Sequence, residues 1–175
     1  MKSIVVYFSR TGENYVNGNI VELKKGNTEI VAEIIQKETG SDLFRILPVV
    51  KYSENYKECV KEAVTDMKQG ARPELESYPE HMDQYDRIYL AYPNFCGTMP
   101  MPVFTFLEKY DFSGKTVCPV CTNEGSGLGN SVNDIKKLCP EADVKEGLAI
   151  HGAEAGQSAD PIREWIRRID QSEVG

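Results

Sequence analysis

Residues 4–14, Ile4-Val5-Val6-Tyr7-Phe8-Ser9-Arg10-Thr11-Gly12-Glu13-Asn14, decide how the rest of the chain reads. The unbroken apolar run at 4–8 has the length and composition of a strand buried on both faces, as in a parallel sheet with helices on either side. The residues after it are small and hydroxylic, with a Gly among them. Such a stretch lets the backbone curl around an anion and offer it N–H and hydroxyl donors. Polar strand ends are also common as plain turns, so the meaning of this stretch depends on what surrounds it.

Working outward, strand and helix signals alternate to the end of the chain. Residues 28–38 place Ile30, Val31, Ile34 and Ile35 on one helical face, and Gly40 ends that helix. Residues 42–47 form a second strand, and Ser53 stands ready to cap a helix carrying Tyr56, Val60, Ala63, Val64 and Met67. A polar loop with Gly70, Pro73 and Pro79 leads to a third strand at 87–92, a Pro- and Gly-rich loop at 93–102 and a short helix at 103–110. The strand at 115–121 contains Pro119, which demands a bulge or a missing ladder bond. A helix at 131–139, capped by Ser131 and stopped by Pro140, and a strand at 144–150 follow. Asp160-Pro161 opens the last helix, with Ile162, Trp165, Ile166 and Ile169 on one face. Five strands alternating with five helices define an α/β, doubly wound parallel sheet in a single domain, 1–175.

One segment breaks the rhythm. Residues 15–25 alternate apolar and polar around Asn17-Gly18, the signature of a β-hairpin inserted between the first strand and the first helix.

Composition narrows the partners. A net charge of −7 argues against nucleic acid and anionic membranes and permits docking to basic protein surfaces. No apolar run reaches the length of a membrane span, and MKSIVVYF leads into Ser9-Arg10 without a cleavage pattern, so a cytoplasmic protein is expected. Five scattered cysteines do not make a disulfide framework. Cys118 and Cys121 have CxxC spacing but lie on a strand, where residues three apart face opposite ways; both are expected in the core. The histidines, His81 and His151, show no metal-ligand spacing.

In a sheet of this kind ligands bind at the carboxyl ends of the strands, near the topological switch point. Three loops there have unusual composition. The first is Ser9 to Asn14, with Gly26-Asn27-Thr28 opening the helix after the insertion; neither GxxxxGK[ST] nor GxGxxG occurs. The second, Tyr92-Pro93-Asn94-Phe95-Cys96-Gly97-Thr98, supplies an aromatic ring and free backbone polar groups suited to a planar heteroaromatic ligand. The third, Thr122-Asn123-Glu124-Gly125-Ser126-Gly127-Leu128-Gly129, allows close backbone approach to a ligand edge. Taken singly, each also fits a plain turn, a core aromatic or a flexible loop; together they mark one binding region.

The stretches SRTGENY, YPNFCGTMPMPVFTFLEKYDFSGK and TNEGSGLGNSVNDIKKLCP resemble the flavodoxin-like family of FMN-binding proteins, in its branch of short stand-alone bacterial members, over nearly the whole chain. The resemblance implies strand order 2-1-3-4-5 and noncovalently bound FMN. Carried over, Ser9, Thr11 and Asn14, with Arg10 beside them, match the phosphate loop, and Asn27 and Thr28 match its end in relatives without a hairpin. Pro93, Asn94, Phe95, Cys96, Gly97 and Thr98 match the loop on one side of the isoalloxazine; Thr122, Asn123, Glu124, Gly125 and Gly127 match the loop on the other. Relatives often carry an aromatic pair where this chain has Phe95-Cys96, a loss that Tyr15 or another hairpin residue can offset. Either Asn14 or Thr28 closes the phosphate site. A Gly such as Gly97 can turn its peptide toward the ring edge, and Glu124 beside the ring would lower its potential.

Three functions follow: an electron carrier serving redox partner proteins, an FMN-dependent NAD(P)H or quinone reductase using small electron acceptors, and a binding module that has lost the flavin.

Overall fold

The computed structural model describes residues 1–172; the last three residues of the expected domain lie outside the described residues. The elements are β1 (Ser3–Tyr7), β2 (Gly12–Val16), β3 (Asn19–Leu23), α1 (Asn27–Thr39), β4 (Asp42–Arg45), α2 (Tyr56–Gln69), β5 (Arg87–Pro93), α3 (Met101–Lys109), β6 (Thr116–Asn123), α4 (Ser131–Leu138), β7 (Asp143–Val144), β8 (Leu148–His151) and α5 (Ala159–Gln171). The main sheet runs β4-β1-β5-β6-β7, with β8 also on β6, and every pairing in it is parallel. Counted by position this is the order 2-1-3-4-5, and the chain is an α/β doubly wound protein. The hairpin β2–β3 forms a separate two-stranded sheet with Asn17-Gly18 at its turn, starting at Gly12 rather than Tyr15.

Two short strands fill the fifth position instead of one, and Pro119 gives the reason. β7 pairs with Thr116 and Val117, β8 with Val120 through Asn123. The Val117 carbonyl accepts from Lys145 N–H at 2.9 Å, so it points toward that edge. Residues two apart on a strand point the same way, so Pro119 presents its missing N–H to the same edge. The edge strand leaves the ladder there and returns after Gly147, while β5–β6 pairing continues through Leu90 and Pro119.

Alternating residues of the central strands feed two cores. Val5, Tyr7, Tyr89, Ala91, Cys118 and Val120 pack with α1 and with Ile162, Trp165 and Ile169 of α5; Val6, Ile88, Leu90, Tyr92, Val117 and Cys121 pack with α3 and α4. Cys118 and Cys121 thus lie in opposite cores, as a strand's period of two requires. Burial pushes the Cys121 thiol up to about 12.

Several helix starts differ from the expected ones. Asn55, not Ser53, caps α2, its side chain accepting from Glu58 N–H at 3.0 Å; the Ser53 hydroxyl accepts from Asn55 N–H instead. Ser131 is the first residue of α4, and its hydroxyl goes to the Leu128 carbonyl and the Tyr92 phenol. Ser158 precedes α5, and Asp160 falls in its first turn, paired with Arg163. α3 begins two residues earlier than expected, with Pro102 in its first turn. On α2 the buried residues are Cys59 and Ala63, whereas Val60 and Met67 are exposed.

Candidate functional site

The carboxyl ends of β1, β5 and β6 open on a cavity of about 390 Å³. Arg10, Asn14, Tyr15, Asn27, Thr28, Pro93, Asn94, Phe95, Cys96, Gly97, Thr122, Asn123 and Glu124 line it, so all three strand-end loops and the hairpin meet there. Ser9, Thr11, Thr98, Gly125 and Gly127 do not line it. Ser9 sits just behind, its hydroxyl accepting from Glu29 N–H at 3.0 Å. Thr98 is turned to Asp134. Gly125 and Gly127 shape the third loop, through Gly125 N–H on the Asn123 side chain (2.8 Å) and the Gly127 carbonyl on Asn94 Nδ2 (3.0 Å).

At one end of the cavity is the N-terminus of α1. Its N-cap is Gly26, which supplies no side-chain cap, so the first-turn N–H groups of Asn27 and Thr28 stand at the cavity wall with the positive end of the helix dipole. Gly26 is required there by close approach: a Cβ on it would lie 2.1 Å from Ser9 Oγ and 2.6 Å from the Arg10 carbonyl. The Thr28 and Thr122 hydroxyls are bonded to each other at 2.8 Å, joining the helix start to the third loop. Asn14 Nδ2 is spent on the carbonyls of Arg10 and Gly12.

The second loop folds as a two-residue turn. Phe95 N–H donates to the Thr98 carbonyl at 2.8 Å and Thr98 N–H to the Phe95 carbonyl at 3.2 Å, with Cys96 (φ 56°) and Gly97 (φ 88°) both left-handed. The Phe95 ring meets Phe8 and Tyr52 edge-on, at 5.7 and 5.8 Å. The Cys96 side is exposed, and partial burial still raises its thiol.

Ser126 of the third loop also lines the cavity, and the remaining wall escaped the sequence reading of the site: Tyr56, Cys59, Val60 and Ala63 of α2, with Gly152. Tyr56, Val60 and Ala63 belong to the stripe at helical spacing, which by itself carries no sign of a site. Tyr15 stacks on Tyr56, ring centroids 5.9 Å apart at 27°. Burial, and then the Tyr15 phenol, raises Tyr56 above the ordinary tyrosine value.

Two lining side chains carry formal charge, Arg10 and Glu124. The Arg10 guanidinium is engaged with the carbonyls of Glu13, Ser53 and Glu54, so it fastens the hairpin base to the α2 approach. Glu124 Oε2 meets His151 Nε2 at 2.9 Å and accepts from Asn17 N–H at 3.2 Å. Among the described residues no cluster of three His, Cys, Asp or Glu could hold a metal ion, and no helix is long and apolar enough to cross a membrane.

With this geometry in view, similarity to known proteins is informative. The family model described as flavodoxin matches residues 2–169. A Bacteroides eggerthii DSM 20697 protein assigned as a flavoprotein shares 28% identity at TM-score 0.76, over 97% of this chain and 98% of its own. A Bacteroides uniformis ATCC 8492 protein of the same assignment shares 25% at TM-score 0.75, over 95% and 97%. A Lactobacillus acidophilus NCFM flavoprotein, crystallised with FMN, shares the fold at 18% identity and TM-score 0.63, over 89% and 97%. No curated protein matches the chain.

Proposed function

The chain belongs to the flavodoxin family, and from that premise we propose that it binds FMN noncovalently in the cavity at the ends of β1, β5 and β6 and serves electron transfer. The observation that carries this reading is the start of α1 at the cavity wall: Gly26 offers no side-chain cap, Ser9 Oγ takes only the Glu29 N–H, and Asn27 and Thr28 line the cavity. The donor set fits the group. Asn27 and Thr28 would meet the phosphate with first-turn N–H groups, a ready-made anion site. Of the two candidates for closing the phosphate site, Asn14 and Thr28, this reading favours Thr28, because the Asn14 amide already serves two carbonyls.

Pro93 through Gly97 and Asn123 would flank the isoalloxazine, with Tyr56 also on the wall. When bound, the flavin supplies reversible electron storage, while the protein sets its potential and access. The Glu124 carboxylate places negative charge at the cavity edge, which disfavours adding further negative charge nearby. The net charge of −7 suits docking to basic redox partner proteins.

A second reading, an FMN-dependent NAD(P)H or quinone reductase, is favoured by one feature. The hairpin adds Tyr15 to the wall and encloses space that a small electron acceptor could share.

Titration of purified protein with FMN, followed by absorbance and flavin fluorescence, tests the first claim. Stoichiometric binding is expected; protein that leaves added FMN free removes the proposal. Steady NAD(P)H oxidation with a quinone and no partner reductase would favour the second reading over a carrier.

A further inference from the structure

The hairpin is held very differently at its two ends. At the base, Arg10 grips three carbonyls, Glu13 N–H donates to the Glu54 carbonyl at 2.8 Å, and the Glu13 carboxylate accepts from Tyr56 N–H at 3.1 Å. At the tip, Asn17 N–H meets Glu124 Oε2 across the cavity edge. β2 and β3 pair with each other and not with the main sheet, and most of β3 is exposed. A two-stranded sheet of this size is marginal alone, so its position rests on these end contacts and on the Tyr15 ring stacked against Tyr56 between them.

The Glu124 carboxylate is itself fixed in place. Its Oε2 also meets His151, and a Cβ on Gly152 would lie 2.6 Å from Glu124 Oε1 and 2.6 Å from Asn27 Nδ2. The carboxylate therefore sits close over a glycine, beside the residue that opens α1. The strap so formed runs from the α2 approach to the third loop, and its residues Asn14 and Tyr15 line the cavity it crosses.

We propose that Glu124 is a positioning residue, a latch that holds the hairpin tip across the cavity and sets how fast the cofactor enters and leaves. The inference rests on the FMN reading above. A hairpin released at its tip and retained at its base swings as a flap, and a flap impedes entry and exit alike. A direct ligand contact behaves otherwise: its loss speeds release and leaves association unchanged.

Stopped-flow flavin fluorescence on the full chain, with FMN as the probe, separates these cases. In Glu124→Ala both the association and the release rate should rise together, by about fivefold, as expected for losing one hydrogen bond at a partly exposed site. Glu124→Gln keeps an acceptor for Asn17 N–H without the charge and should restore most of the native rates. Amide exchange on the protein without FMN gives an independent check: Asn17 N–H should lose protection in Glu124→Ala and keep it in Glu124→Gln.

The proposal is overturned if Glu124→Ala changes neither rate, or raises release alone. It also falls if Glu124→Gln matches Glu124→Ala, since charge and not the latch would then be responsible. Failure of the native protein to bind FMN would sink the functional reading, and this inference with it. Native binding with unmoved rates would sink the latch alone.

Discussion

The two halves of the cavity are built on opposite principles. The α1 end is polar and buried: Ser9 and Thr28 stand on either side of the hairpin insertion, Gly26 lets them approach, and the two hydroxyls are satisfied by the Glu29 N–H and by Thr122. The opposite wall brings together Tyr15, Tyr56, Cys59, Val60 and Phe95 from three separate segments. Part of that wall is exposed, Tyr15 and Val60 by about two-fifths. The first half should be intolerant of change and the second adaptable, which is how a shared cofactor end and a variable access side would differ.

The largest effect is expected where the polar end is tightest. Gly26→Ala puts a methyl against Ser9 Oγ and the Arg10 carbonyl. Backbone cannot yield as a flexible side chain does, so unfolding free energy should drop by about 3 kcal/mol, with FMN binding lost. Urea denaturation and FMN titration measure the two; a variant with native stability and affinity would remove the contrast. Next comes the hydroxyl pair. Thr28→Val leaves the buried Thr122 hydroxyl without its partner and should cost about 2 kcal/mol. Adding Thr122→Val should recover part of that loss, because removing both partners leaves nothing unsatisfied. A purely additive double variant would show that the pair contributes nothing jointly.

The same contrast explains what was legible in the sequence. β1 with its polar end, the Asn17-Gly18 turn and the α5 stripe at Ile162, Trp165 and Ile169 are short-range patterns, and the structure carries each. Pro119 announced a ladder defect, but not that its edge neighbour would split into β7 and β8, because that depends on which edge the missing N–H faces. The α2 wall was hidden for a related reason. Apolar residues at helical spacing carry by themselves no sign of a site, and only tertiary placement shows Val60 exposed beside a cavity while Cys59 and Ala63 are buried. Cap residues were misassigned wherever two candidates stood close together, as with Ser53 and Asn55, since the choice turns on backbone angles that composition does not reveal.

On the adaptable wall, Tyr15→Ala should cost about 1 kcal/mol through the lost stack on Tyr56. Tyr56 should then titrate closer to the ordinary tyrosine value, since both burial and the Tyr15 phenol raise it. The sign follows from linkage. A phenol whose folded value lies above its unfolded one adds stability below the unfolded value, and that stability fades as pH rises through the folded value. Native protein should therefore lose more stability than the variant on going from pH 9 to well above the ordinary tyrosine value of 10.0. Spectrophotometric tyrosine titration and denaturation at both pH values check this; an equal alkaline loss in the two proteins would contradict it.

The smallest effect concerns Cys96, where turn chemistry and cavity lining meet. With φ 56° it occupies the first central position of a turn that needs both central residues left-handed, and Gly97 already suits the second. Asn adopts that conformation more readily than Cys, so Cys96→Asn should stabilise the protein by about 0.5 kcal/mol, read as a slightly higher Tm. The same variant should abolish the fast thiol reaction of the native state, because Cys59, Cys118, Cys121 and Cys139 are buried. If the turn is only scaffold, FMN affinity should follow stability and stay near native. A loss of affinity despite the higher Tm would mean that the Cys96 side chain, and not only the backbone it bends, forms part of the wall, placing this loop with the exacting half of the cavity.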